Sequence, residues 1–429
     1  MMERFFGLAA AGTTPRIELL AGLTTWLTMV YIVVVNPSIM AQAGIDQGAA
    51  FVATCLAAAI GTALMGLVAN YPIALAPGMG LNAYFAFAVV LGMNVPWQTA
   101  LGAVFLSGLL FFAVSVLKIR KWLVNGIPMS LKLGIAAGIG FFIGIIALQG
   151  MGLVVDHPVT LVTLGKLNEP RTLLACIGFL LIAGLVSRGV PGAMLIGILI
   201  TALLGVPFGL TTFHGVVALP PSLAPTFLQL DIAGALSLGI LGIVFTFFLV
   251  DLLDNTGTLI ATTQRAGLMA KDGSVPRLGR ALMADSGGAM MGAVLGTSTT
   301  VSYIESASGI QAGGRTGMTA LVVAGLFLLT LFFSPLATSI PGFATAPALL
   351  FVACLMARAL EHLNWRDPTD YLPAILTALI MPLSFSVATG LGIGFITYAV
   401  IKVIAGRARE VHGAVWLLAA LSVVKFALA

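Results

Sequence analysis

Residues 247–263 read FFLVDLLDNTGTLIATT and close an apolar run, GILGIVFTFFLV, that opens at residue 239. The run is of membrane grade, yet Asp251, Asp254 and Asn255 follow it directly. A carboxylate at the centre of a bilayer costs roughly 2.5–3.5 kcal/mol on the mildest scale. On a helix Asp251, Asp254, Asn255 and Thr258 share one face, because residues three, four and seven apart stack along it. That face is expected to look into a protein cavity and not into hydrocarbon.

The rest of the chain agrees with a membrane setting. Of 429 residues, 59% are hydrophobic and only 8% charged, and the mean hydropathy is +1.10. Soluble proteins carry about 25% charged residues. So few charges cannot cover a soluble surface of this size, and an all-α polytopic membrane protein is expected. The 50 glycines suit close helix packing in lipid. The net charge of +5 then carries orientation information and does not point to a nucleic-acid partner. Cys55, Cys176 and Cys354 lie in apolar runs without metal-ligand spacing and read as small core residues. His157, His214, His362 and His412 fall in connections, so neither a metal site, a cofactor nor a catalytic base is expected from them. The opening MMERFFGLAAAGTTPR lacks the features of a cleaved signal peptide.

Hydropathy predicts fourteen spans. Seven lie near 17–36, 49–69, 73–91, 97–117, 129–149, 171–187 and 190–206. Seven more lie near 234–255, 281–295, 297–311, 316–333, 343–361, 371–386 and 388–405. The segment 414–428 is short for a span and reads as an interfacial or re-entrant helix. With the N-terminus in the cytoplasm, the Lys and Arg from Arg4 to Arg409 fall inside, apart from Lys166 and Arg171 outside; Lys425 is unassigned. That asymmetry is what the positive-inside rule asks of a multi-pass protein of the cytoplasmic membrane. An odd repeat inverts its second copy, so 1–207 and 208–429 are expected to be inverted repeats, as in secondary transporters. Weak internal matches support this: APGMGLNAYFA (76–86) lies over LGTSTTVSYIE (295–305), equating Tyr84 with Tyr303, and IPMS (127–130) resembles IPGF (340–343).

The third span of each half begins badly for a helix. Pro72, Pro77, Gly78 and Gly80 interrupt one; the run TSTTVS after Gly296 favours extension in the other. Non-helical backbone at membrane depth is tolerated only when buried in protein or lining a cavity. A short extended strand followed by a half-length helix is therefore expected in each, with the strands paired near the midplane and the half-helix N-termini aimed at a central site. Glu305 lies in the second of these segments. The site is read as Asp251 and Glu305 facing each other, with Asn82 from the first broken span. Carboxylates, an amide and backbone N–H groups suit a small planar molecule with alternating N–H and C=O edges. Phe85, Tyr84 or Tyr303 are candidates to stack on its face. Asp254 is read as support, and Asp285 as a hydrogen-bonding residue at a helix end.

These stretches resemble the AzgA-like purine permeases of the nucleobase–ascorbate transporter superfamily. The resemblance covers nearly the whole chain and rests on RFFGLAAAGTTPRIELLAGLTTWLTMVYIVVVNPSIM (4–40), ALAPGMGLNAYFAF (74–87), VDLLDNTGTLIAT (250–262), DSGGAMMGAVLGTSTTVSYIESASGI (285–310) and AGRAREVH (405–412). It implies a seven-plus-seven inverted-repeat fold, with a core of spans 1–4 and 8–11 and a gate of spans 5–7 and 12–14. It implies proton-driven uptake of adenine, guanine or hypoxanthine, and in related folds dimers form through gate spans. The family's substrate-binding acids match Asp251 and Glu305, and its third-span Asn matches Asn82. Tyr303 and Ile304 occupy positions that contact the base in related uracil permeases, and Phe85 aligns with a stacking aromatic there. The usual DTTGT is DNTGT here, with Asn255 for Thr.

Two buried acids also suggest a mechanism. Burial and mutual repulsion disfavour two charges, so at least one of Asp251 and Glu305 is expected to exchange a proton near neutral pH, with Asp254 and Asn255 supporting. Xanthine or uracil transport, an anion carrier, a channel and an intramembrane hydrolase are the rivals. An anion site wants positive charge beside the half-helices, a channel wants a ring of acids, and the paired broken spans favour transport over hydrolysis.

Overall fold

The computed structural model describes residues 5–116, 126–268 and 275–428. Arg4, Lys118, Arg120, Lys121 and Lys271 of the predicted inner-side charges lie outside them. The chain begins with α1 (Pro15–Met29), α2 (Ile32–Gln42) and α3 (Gln47–Leu64), the last continued by a π-helical turn, Met65–Ala69. Strand β1 (Leu75–Pro77) leads into α4 (Met79–Ala83), which continues π-helically through Tyr84–Gly92. Then come α5 (Trp97–Val116), α6 (Met129–Gly150), a hairpin of β2 (Val154–His157) and β3 (Leu161–Leu164), α7 (Pro170–Ser187) and α8 (Ala193–Leu204). The second half holds α9 (Ile232–Ala235), α10 (Leu238–Arg265), α11 (Leu278–Leu295), β4 (Thr300–Ser302), α12 (Ser306–Gln311) and α13 (Gly317–Thr330). It ends with α14 (Ser334–Thr338), α15 (Gly342–Ala357), α16 (Pro368–Leu383), α17 (Val387–Ile404) and α18 (Gly413–Leu428). Among the described residues nine helices are long and apolar enough to cross a membrane.

Helix starts follow local chemistry. Thr14 caps α1 with Pro15 in its first turn, Asp46 accepts from Ala49 N–H at 2.7 Å to open α3, and Ser386 accepts from Thr389 N–H to open α17. Each side chain satisfies one of the amides a helix start leaves orphaned. Pro128 and Pro341 stand immediately before α6 and α15, as the IPMS and IPGF match implied. A further cap comes from another helix. Glu18, fully buried on α1, accepts from the Arg315 and Thr319 amides at 2.9 and 3.0 Å and so caps the start of α13 from another helix.

Both broken segments form as expected. β1 and β4 pair antiparallel in the register Leu75↔Ser302, Ala76↔Val301 and Pro77↔Thr300. The ladder is extended by Gly78 N–H to Thr299 O at 3.0 Å and Tyr303 N–H to Ala74 O at 2.9 Å. All six strand residues are buried. The overlay of Tyr84 on Tyr303 is corrected: Tyr303 precedes its half-helix, whereas Tyr84 lies past the first turn of its own. A short tyrosine match carries less information than the strand register. The pairing is also close, since a Cβ on Gly78 would stand 2.9 Å from Val301 Cγ2.

Packing separates two groups of helices. In one, α1 and α3 lie against α13, and α5 and α3 against α11, with α10 on α5. In the other, α6 lies against α15 and α16, α7 against α8 and α15, and α16 against α17. Three expectations need correction. The 234–255 segment is a short α9 followed by α10, which runs on to Arg265. Along that extension Thr256, Thr262 and Thr263 turn their hydroxyls back onto carbonyls four residues earlier, which satisfies these polar groups inside the helix. Cys55 is buried, but Cys354 is exposed and faces away from the packed core. Asp285 is not at a helix end; it lies two turns into α11, fully buried, where it accepts from Ser302 Oγ of β4 at 3.4 Å.

A charged cluster ties α17 to α16 and to the start of the C-terminal segment. Lys402, 1% exposed, lies 3.2 Å from Asp370 and 2.9 Å from Glu410. Arg407 lies 2.6 Å from Asp367 and 2.7 Å from Glu410. The Arg407 guanidinium, with Thr369, holds the Asp367 carboxyl at about 2, below its ordinary 3.8. Arg407 and then Lys402 hold Glu410 at about 2, below its ordinary 4.5. Depressed carboxyls stabilise the fold fully above their unfolded range and lose that contribution as pH falls through their folded values. The thermal midpoint of the detergent-solubilised protein is therefore expected to be flat from about pH 5 to 8 and to fall below about pH 4. Arg407→Ala should lower the neutral-pH plateau and flatten the acid limb; an unchanged acid limb in thermal scans would contradict this assignment.

Candidate functional site

The crossed strands and α10 bring most of the sequence-predicted residues together. Asp251, fully buried on α10, accepts from Asn255 Nδ2 at 2.7 Å and from Thr299 Oγ1 at 3.3 Å. Asn255, also fully buried, accepts the Ser302 N–H of β4 at 2.8 Å through its own Oδ1. The Asn in DNTGT thus uses its two amide atoms separately: Nδ2 donates to the acid one turn back and Oδ1 accepts from a strand. Asn82 on α4 accepts from Ser298 Oγ, the neighbour of Thr299, and its Nδ2 has no partner among the described residues. A continuous polar chain runs from Asn82 through 298–299 to Asp251, Asn255 and β4.

Glu305 stands apart from this chain. It occupies the N-cap position of α12, just outside the helix where sequence had placed it, and is half-buried. Its Oε1 accepts from the Tyr31 hydroxyl at 2.9 Å. Its acidic neighbour within electrostatic reach is Asp254, one turn on from Asp251. Asp254 is exposed, whereas Asp251 is sealed. Ile304, next to Glu305 in the chain, is 45% exposed, so Asp254, Ile304 and part of Glu305 are open.

The aromatic candidates are held inside the protein. Tyr303 donates its hydroxyl to Pro77 O at 2.6 Å, which locks β4 to the end of β1. Phe85 is fully buried, and Tyr84 packs edge-on against Phe247 with ring centroids 5.0 Å apart. Sequence reading missed Tyr31, Ser298 and Thr299 as contact residues. Tyr31 stands in LTMVYIVVVN, one phenol in an apolar stretch, 274 residues from its partner. Only the assembled fold makes that neighbour visible.

The family described as Permease family matches residues 16–393. The chain belongs to this permease family. Within the nucleobase–ascorbate transporter superfamily it is one of the AzgA-like permeases. It is 47% identical over 425 residues to the adenine permease AdeP of Escherichia coli, covering 99% of this chain and 96% of that one. It is 46% identical over 423 residues to the guanine/hypoxanthine permease PbuG of Bacillus subtilis, covering 96% of each chain. In fold it is similar to the transmembrane domain of the cyanobacterial bicarbonate transporter BicA. The TM-score is 0.68 at 17% identity, over 87% of this chain and 96% of that domain. The permease is thus a multi-pass membrane transporter and not an enzyme, and the shared fold extends to carriers of very different cargo.

Proposed function

We propose that this permease takes up purine nucleobases, adenine, guanine or hypoxanthine, by proton symport across the cytoplasmic membrane. The observation that carries the reading is a part-exposed acid, Glu305, held beside the paired strands by Tyr31, in a chain aligned end to end with purine permeases. A purine offers N–H donors along a planar edge, which carboxylates accept. Glu305 and Ile304 form the surface a base meets first, with Tyr303 behind them. Asp251 is the second acid; its 3.3 Å bond from Thr299 is the weaker of its two and the one a base N–H would replace. Asn82 and Phe85 shape the inner wall, and Asn255 and Asp254 support the acids. The proton is the coupling ion.

The finer architecture belongs to the same proposal. The antiparallel crossing and the matched Pro128 and Pro341 starts support fourteen crossings in two inverted sets of seven, 1–207 and 208–429. The two packing groups correspond to a core (spans 1–4 and 8–11) and a gate (spans 5–7 and 12–14). The N-terminus lies in the cytoplasm, and gate helices are the candidate surface for a homodimer. A bicarbonate-type anion is the less suitable cargo, because acids and neutral amides line the crossing. Competition of labelled hypoxanthine uptake in proteoliposomes by purines, xanthine, uracil and bicarbonate, at several pH values and with a protonophore, tests the reading. Purines should compete and the protonophore should stop accumulation; competition by bicarbonate alone would end the proposal.

A further inference from the structure

We propose that Tyr31 is the positioning residue that sets the pH at which Glu305 works, an inference that rests on Glu305 being the coupling acid. Tyr31 lies where the first membrane helix is interrupted: α1 ends at Met29 and α2 begins at Ile32. Tyr31 keeps a right-handed helical backbone there, and its side chain reaches Glu305 at the start of α12. The side chain is fully buried, and its hydroxyl donates to Glu305 Oε1 at 2.9 Å. One carboxylate oxygen is therefore held by a buried donor, while the residue itself stays part-exposed.

The charges around Glu305 make this donor decisive. Among the described residues the titratable groups within reach are Tyr31 from the α1–α2 break, Asp254 from α10 and Tyr303 from its own segment. Arg315, in the connection after α12, spends its Nη1 on the carbonyls of Ile310 and Gly314. Among the described residues the carboxylate is thus met by a phenol and not by a salt bridge, which would have fixed its charge. A neutral donor favours the charged form enough to bias it and leaves it able to take a proton. The joint between the two helices does not depend on that bond, because Thr28 Oγ1 and Ser308 Oγ also meet, at 3.0 Å. Gly309 adds to the joint: a Cβ there would stand 2.5 Å from Ala21 O of α1.

The test is the pH profile of initial hypoxanthine uptake in proteoliposomes for wild type, Tyr31→Phe, Thr28→Val and Glu305→Gln. Removing the donor lets Glu305 keep its proton to higher pH, so Tyr31→Phe should transport with its profile displaced to alkaline pH by about half to one unit. Thr28→Val should leave the profile in place. If Glu305→Gln abolishes uptake while Tyr31→Phe superimposes on wild type, the inference falls and the site reading stands. If Glu305→Gln transports with normal pH dependence, the site reading itself falls. A profile moved equally by Thr28→Val would reduce Tyr31 to packing. Should Tyr31→Phe fail to fold, replacing Tyr31 by 3-fluorotyrosine, a stronger donor of the same shape, should move the profile the other way, and no movement overturns the inference.

Discussion

Glu305→Gln is expected to abolish purine uptake at pH 7, or to leave a residual uptake that no longer responds to pH. The substitution keeps volume and shape, and the amide oxygen still accepts from Tyr31, whose bond to Oε1 is 2.9 Å. The fold should therefore survive, with a thermal midpoint close to wild type. What disappears is the charge and the exchangeable proton. A hydrogen bond to a charged group contributes about 1.5–3 kcal/mol. Its loss on the base corresponds to roughly a ten- to hundredfold fall in affinity. Coupling disappears as well, since an amide does not titrate in this range. Initial rates and counterflow at pH 5.5, 7 and 8 separate the two effects. Wild-type rates with wild-type pH dependence would remove Glu305 from the mechanism.

Asp251→Ala should be the second large effect, and it should reach stability as well as transport. Asp251 is fully buried and accepts from two groups, Asn255 Nδ2 and Thr299 Oγ1. Truncation leaves both donors without an acceptor and opens a void between α10 and the crossed strands. Each buried polar group left unsatisfied costs about 1–3 kcal/mol. Asn255 also holds the Ser302 amide, so the disturbance passes directly to β4. A lower thermal midpoint and loss of uptake are expected together. Asp251→Asn is the informative partner, because its amide oxygen still accepts from Asn255. It should recover most of the midpoint while transport stays impaired, if Asp251 contacts the base. Recovery of both would leave Asp251 a scaffold residue and shift the role of second acid to Asp254.

The legibility of the sequence was uneven for physical reasons. Long apolar runs and Gly/Pro interruptions are local signals, so the helices and the two broken segments at 73–91 and 297–311 were readable to within a few residues. The shared face of Asp251, Asp254 and Asn255 was readable because helical spacing fixes it. What each member of that face does was not. Asp254 is exposed and Asp251 sealed, although only three residues separate them, because a strand from elsewhere covers one and not the other. Asp285 misled in the same way: its position near the start of a hydropathy segment hid the fact that β4 crosses it.

By itself the sequence determined that this chain lives in a membrane, that two of its segments break there, and that acids stand beside one break. Those conclusions follow from what lipid forbids, and each residue carries its own share of that prohibition. Tertiary structure alone decided the partners. The pairing of Ala76 with Val301, the cap Glu18 places on α13, and the phenol of Tyr31 on Glu305 join residues more than two hundred positions apart. No spacing rule reaches that far: a hydrogen bond between two chain segments depends on how the helices between them pack.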